Sequence, residues 1–210
     1  HDPQHMCRGI AKLYCFRSNK CGHCRKTLKL LLIFRYQVRL FSGSIYMTIQ
    51  NTFEILKNHF GERWSTSQTD LENHGHSESY FPTHAPDAVV YPLTTADVVY
   101  IVNVCHQSKI PMIGYGVGTS LEGHTSAIHG GICVDFSKMN KVLEIDPSNM
   151  SATLEPGVTR EQLNHELRHS GLFFSVDPGA NATLGGMAST RASGTTSVRY
   201  GTMRENIQSL

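Results

Sequence analysis

The stretch Gly114-Tyr-Gly-Val-Gly-Thr-Ser-Leu-Glu-Gly123 places four glycines in ten residues at the end of an apolar run, Ile110 to Tyr115. Glycine serves where φ must be positive or where a ligand must touch backbone, so successive N–H groups in such a loop converge on an anion. Phosphate binding is the chemistry on offer, and two nucleotide motifs test it. A Gly-x-Gly-x-x-Gly fingerprint needs glycine where Thr119 or Leu121 stands, and the Walker A spacing from Gly118 to Gly123 runs into His124 instead of lysine. Neither a Rossmann dinucleotide site nor a nucleoside triphosphate site is therefore expected. A second stretch, Asp177 to Gly194, is rich in small residues and hydroxyls and holds one base, Arg191. Small side chains let a flat ligand lie against backbone, while Thr183, Ser189 and Ser193 can donate to phosphate or ring oxygens.

Regular elements must position these loops. Thr48 to His59 has helical spacing, and Ser65 to Pro86 reads as a polar connection in which His74, His76 and His84 are expected to face solvent. Ala88 to Tyr91 is a β-branched run halted by Pro92. Thr94 to Gln107 is a helix with Thr94 as N-cap and Val98, Ile101, Val102 and Cys105 on its apolar face. Strands are expected at Ile110–Tyr115, Ile132–Phe136, Val142–Ile145 and Ala152–Glu155, the last three as an antiparallel or mixed meander. A helix from Arg160 to His169, capped by Thr159 and closed at Gly171, leads to a further strand, Leu172–Val176, which feeds the second loop. The layout is α+β.

Residues 1–53 hold nine Lys/Arg and one acid, Asp2; the rest of the chain is acidic, which argues against a nucleic-acid partner. The composition of residues 6–47 is that of a mitochondrial presequence or of non-native sequence. Cys21-Gly-His-Cys24 has the spacing of a thiol–disulfide redox centre, but no strand run precedes it, as such a site requires. Only Cys105 and Cys133 lie in the remainder, as in a reduced, intracellular body. The longest apolar run, Leu30 to Phe34, is far short of a transmembrane segment.

Six blocks carry a resemblance: His74-Gly-His-Ser-Glu-Ser79, Pro86-Asp-Ala-Val-Val90, Pro111 to Gly123, Glu155-Pro-Gly-Val-Thr-Arg160, Asp177-Pro-Gly-Ala-Asn-Ala-Thr183 and Val198-Arg-Tyr-Gly-Thr-Met-Arg204. In order and spacing the chain resembles the mitochondrial D-lactate dehydrogenases of the vanillyl-alcohol oxidase / p-cresol methylhydroxylase flavoprotein group, over about residues 62–210. The resemblance implies an α+β FAD-binding domain of two subdomains, with residues 1–47 an extension, 48–83 a helical lead-in and 84–210 the FAD-binding domain, cut off before a substrate domain that would supply catalytic histidines, a substrate arginine and any metal site. It implies that Gly114, Tyr115, Gly116, Val117, Gly118, Thr119 and Ser120 cradle the FAD phosphates. Asp177, Pro178, Gly179, Ala180, Asn181, Ala182 and Thr183, with Thr190, Arg191, Ala192 and Ser193, would line the flavin and ribityl region. Gly185 and Gly186 would let the chain pass close to the ring. No histidine stands at 117–120, where some relatives bond flavin covalently, so non-covalent FAD is implied. The implied reaction is oxidation of a D-2-hydroxy acid with electrons passed to a carrier such as cytochrome c, in mitochondria. Ser189-Thr-Arg-Ala-Ser-Gly194 also resembles alkyl-dihydroxyacetone-phosphate synthase, which keeps that flavoenzyme as the alternative; a non-catalytic flavin-binding fragment is another.

Overall fold

The computed structural model describes the backbone of residues 11–14 and the whole of residues 49–210. Most of the basic extension, and with it the Cys21-Gly-His-Cys24 motif, lies outside the described residues. In chain order the elements are β1 (Ala11–Tyr14), α1 (Ile49–Phe60), β2 (Trp64–Ser65), α2 (Gln68–Gly75), β3 (Ala88–Val90), α3 (Thr95–Ser108), β4 (Met112–Tyr115), β5 (Ile132–Asp135), β6 (Val142–Asp146), β7 (Ser151–Leu154), α4 (Arg160–Leu167), α5 (Leu184–Ser189), α6 (Ser197–Tyr200), α7 (Met203–Asn206) and β8 (Ile207–Ser209).

Among the described residues, two four-stranded sheets divide the work. The first runs β2-β3-β5-β4, with β5 parallel to both β3 and β4 and β2 antiparallel on the edge. All four residues of Ile132-Cys-Val-Asp135 are buried, the signature of a central parallel strand covered on both faces. Helices α1 and α3 pack on this sheet, so Leu56, Phe60 and Trp64 share one core with Val90, Ile101, Val104, Ile132 and Val134. The lead-in is thus built into the first subdomain. On α3, Thr94 caps by accepting from the Asp97 N–H at 3.2 Å, as expected, but Val104 is buried and Val102 is 42% exposed. The apolar face turns one position further than the pattern of four residues suggests, because Val104 and Ile101 fall three apart on the sheet side.

The second sheet runs β6-β7-β1-β8, antiparallel throughout. Its core joins Leu154 of β7 and Val158 to Leu163 and Leu167 of α4, Phe174, Leu184 and Met187 of α5, and Met203 of α7. Three expectations are corrected. The strand pair β6–β7 forms a hairpin, but β5 belongs to the other sheet, so there is no three-stranded meander. Leu172 to Val176 has no ladder partner among the described residues; its Phe174 N–H is satisfied by the side chain of Asn164 at 2.7 Å, and the segment is not a strand. The second loop contains helix α5, and Ser65 to Pro86 contains helix α2, capped by Ser67. Cys105 and Cys133 are both buried and free, and burial pushes their thiols up to about 11 and, with help from the charge of Asp135, about 12.

Leu163 is fully buried at the centre of the second core, where α4 meets β7 and α5. Leu163→Ala is expected to destabilise the fold by about 2–5 kcal/mol, the range for a leucine deletion that leaves a partly collapsed cavity. Chemical denaturation followed by circular dichroism measures it.

Candidate functional site

A cavity of about 1060 Å³ opens where the two subdomains meet. One wall is the loop leaving β4, and the other is the segment 178–192 around α5. The register of β4 on β5 pairs Gly114 with Val134 and Tyr115 with Asp135, which delivers the loop at the end of the first sheet. At the opposite wall Thr183 stands at the N-cap position of α5 without a side-chain cap bond, and its neighbours are docked by backbone bonds from Leu184 N–H to the Val158 carbonyl (2.8 Å) and from Gly185 N–H to the Pro156 carbonyl (2.9 Å). A side chain at 185 would run into Pro156, which is why glycine stands there.

The two walls touch. A Cβ at Gly116 would overlap the hydroxyl of Thr183, so only glycine lets the loops approach this closely. Gly118 has φ +69°, and a Cβ there would lie 2.5 Å from the Tyr115 hydroxyl. Both positions form a backbone cradle that a side chain would fill.

Sixteen of the sequence-derived site residues line this cavity: Gly114 to Ser120, Pro178, Gly179, Ala180, Ala182, Thr183, Gly185, Gly186, Thr190 and Ala192. Asp177, Asn181, Arg191 and Ser193 are not among the lining residues. Asn181 accepts a hydrogen bond from the Glu161 N–H at 3.1 Å and so caps the first turn of α4. Asp177 is a clamp: its carboxylate accepts from Thr196 N–H (3.0 Å), Thr196 Oγ1 (2.7 Å) and Thr195 Oγ1 (2.9 Å), and a Cβ at Gly194 would overlap it. Arg191 turns the chain out of α5 with φ +52° and is exposed, as is Ser193.

The cavity also takes Thr125, Phe136, Pro156 and Ile207 from segments that carry no loop signature, and Met187 from within the second loop. The Thr125 hydroxyl is buried in this wall without a hydrogen-bond partner among the described residues. An unmatched buried hydroxyl costs stability and marks a place for a ligand oxygen. Ser120 and His124 bond to each other at 2.6 Å on the loop's outer turn. A cavity of this size with glycine backbone on one side, an apolar floor of Met187 and Leu154, and hydroxyls at Thr119, Thr125, Thr183 and Thr190 fits a long ligand with anionic and flat parts. Among the described residues no group of His, Cys, Asp and Glu is placed to hold a metal, and no helix is long and apolar enough to cross a membrane.

The expectation that His74 faces solvent is corrected: its side chain is 8% exposed and lies 2.9 Å from Asp135. His76 is exposed and His84 half-buried.

Two α+β subdomains with a cavity along their seam are the architecture of the p-cresol methylhydroxylase fold. The fold resembles that of p-cresol methylhydroxylase with substrate bound (TM-score 0.55, 24% identical, covering 68% of this chain and 29% of that one). It also resembles alkyldihydroxyacetonephosphate synthase (TM-score 0.69, 23% identical, covering 78% and 38%), a likeness of fold alone. Residues 86–210 match the FAD binding domain family, and the chain belongs to it; FAD is its cofactor. It is 48% identical over 139 residues to a probable mitochondrial D-lactate dehydrogenase of Danio rerio, covering 66% of this chain. It is 41% identical over 157 residues to a mitochondrial D-lactate dehydrogenase [cytochrome] of Arabidopsis thaliana, covering 74%. The chain spans 28% of the length of each of these relatives.

The Asp177 clamp has a signed pH dependence. Backbone and side-chain hydrogen bonds from Thr196, then that from Thr195, hold its carboxyl at about 2. A carboxylate with a depressed folded pKa keeps its contribution above the unfolded value near 3.9 and loses it as pH falls through the folded one. The Asp177 carboxyl resonance is expected to titrate near 2, and Asp177→Ala to speed amide exchange at Thr196 at neutral pH.

Proposed function

We propose that this chain supplies the FAD-binding part of a flavin-dependent D-2-hydroxyacid dehydrogenase that oxidises D-lactate to pyruvate and passes electrons to a carrier such as cytochrome c. The observation that carries the reading is the glycine cradle at Gly116 and Gly118 closing on Thr183, in a chain 48% identical to a probable mitochondrial D-lactate dehydrogenase. Mitochondrial residence follows the names of the fish and plant relatives, with residues 1–47 as the targeting extension, 48–83 as lead-in and 84–210 as the FAD-binding domain.

The chemistry FAD supplies when bound is acceptance of a hydride from C2 of the hydroxy acid and later delivery of two electrons to the carrier. This chain's residues bind and orient. Backbone N–H groups of Gly116 to Ser120 would hold the phosphates, and the Thr125 hydroxyl would be free to donate to them. Pro178, Gly179, Ala180, Ala182, Gly185 and Gly186 give the ring and ribityl chain a wall without bulk, and Met187 keeps water from its floor. Asp177 and Asn181 act behind this wall by fixing the segments on either side of it. Attachment is non-covalent: loop positions 117–120 carry no histidine, and the Nδ1 of His124 is engaged by Ser120. The chain spans 28% of the length of these relatives, and substrate binding and removal of the hydroxyl proton fall, on this reading, to a substrate domain in the part of their length that it does not cover.

The protein with its substrate domain is expected to reduce cytochrome c with D-lactate and to release intact FAD on acid denaturation. Turnover of an alkyl-dihydroxyacetone-phosphate substrate with no response to D-lactate would sink this reading. Gly118→Val should strain the positive-φ turn by about 1–3 kcal/mol. At about 1.4 kcal/mol per decade, that lowers FAD affinity roughly tenfold or more, as read by flavin fluorescence.

A further inference from the structure

Helix α2 raises a question of its own. Its sequence, Gln68-Thr-Asp-Leu-Glu-Asn-His-Gly75, offers one apolar side chain, and its buried residues are His74 and Gly75. A surface helix ordinarily docks through an apolar stripe. This one docks through an ion pair. Burying two charged groups gains little over an apolar contact of the same size, so such a pair points to a demand for placement.

The placement is specific. His74 Nδ1 donates to the Asp70 carbonyl at 2.7 Å, and Nε2 lies 2.9 Å from Asp135 Oδ2. The other carboxylate oxygen of Asp135 accepts from the Ser137 N–H at 2.7 Å. Both ring nitrogens therefore face acceptors, which an imidazolium satisfies and a neutral ring cannot. The ring also packs on Tyr115, with centroids 4.5 Å apart, and Tyr115 is the residue whose hydroxyl lies under Gly118. On the other side Gly75 sits so close to Ala85 that a Cβ would overlap its backbone, which fixes the end of α2.

We propose that His74 is a positioning residue for the FAD phosphate loop: as an imidazolium braced between Asp70 and Asp135, it holds Tyr115 beneath Gly118 and sets the loop's grip on the pyrophosphate. This rests on the reading of the first loop as the FAD phosphate site. The groups facing the ring are Asp70 on its own helix, Asp135 on β5, Tyr115 on β4 and Tyr91 after β3, whose ring centroid is 6.1 Å away and has Lys138 Nζ over it at 5.4 Å. Cys133, on β5 with Asp135, stays a neutral thiol. Burial opposes the charged ring, but the hydrogen bond to Asp135, the one to Asp70 and the two carboxylate charges outweigh it and raise the imidazole pKa above its ordinary value. With a raised folded pKa, the brace is complete below the ordinary histidine value near 6.5 and is lost as pH rises through the folded one. Beyond that point a lone pair on Nε2 faces the Asp135 carboxylate.

The experiment pairs two measurements on the whole chain. Long-range ¹⁵N–¹H correlation of the histidine rings reads the His74 midpoint without FAD, and flavin fluorescence reads the FAD dissociation constant from about pH 5.5 to about pH 8.5, the histidine range. The His74 midpoint is expected above the ordinary value, and the dissociation constant is expected to rise several-fold through that same midpoint. Asp135→Asn should lower both midpoints together, and His74→Gln should bind FAD weakly with no step at that pH. A ring that titrates at or below the ordinary value, or a wild-type dissociation constant flat across the range, overturns the inference, and neither needs a variant that folds. FAD bound with a flat profile sinks the inference alone. No FAD binding at any pH sinks the reading of the first loop, and the inference with it.

Discussion

Between Gly116 and Thr183 there is no space for a methyl group, and that closeness organises the rest of the molecule. The loop from the first sheet and the start of α5 from the second core can meet only as backbone against a hydroxyl-bearing cap. Each must then be held from behind. On one side the register of β4 on β5 fixes where the loop departs, and on the other the bonds from Leu184 and Gly185 to residues 156–158 fix where α5 begins. Gly157 repeats the same economy of bulk where the second subdomain's chain passes the first: a Cβ there would overlap the Phe136 carbonyl. Glycines cluster at the seam because the seam is a place of backbone contact.

The polar network behind the cavity follows from the same need. Small residues line the wall but cannot fix it, since Gly179, Ala180 and Ala182 offer little to pack against. Fixation is delegated to side chains that point away from the cavity. Asp177 ties the incoming strand-like segment to Thr195 and Thr196, and Asn181 ties the middle of the loop to α4. In the second core Ser175 donates to Asn206, whose amide reaches the carbonyls of Tyr200 and Thr202 at 3.1 and 2.8 Å. The last turns of the chain are thereby joined to the segment that precedes the second loop.

The first loop was legible in the sequence as a cavity wall, because glycine spacing after a strand has few other uses, and Gly114 to Ser120 do line the cavity. Small residues and resemblance pointed to the second loop, most of which lines the cavity, but Asp177 spends its carboxylate on Thr195 and Thr196 and Asn181 its side-chain oxygen on the Glu161 N–H. An exposed-looking Asp or Asn in a Gly-rich loop carries no mark of such a partner. Leu172 to Val176 has the alternation of a strand and buries Leu172, Phe174 and Val176, yet hydrogen bonding goes to Asn164 in place of a ladder, a tertiary choice invisible in periodicity. His74 was hidden for the opposite reason: in a polar stretch with two other histidines, nothing local shows that Asp135, sixty-one residues away, waits for it. Thr125 and Pro156 reach the cavity by topology alone.

The two cysteines on the first sheet and its helix give the fold a latent chemical signature. Only the thiolate attacks an alkylating or oxidising reagent, and Cys105 and Cys133 are both walled off and held as thiols far above neutral pH. A thiolate-directed alkylating reagent is expected to find these sulfurs unreactive while the first subdomain stays closed. Their modification therefore records an opening of the β3-β5-β4 core.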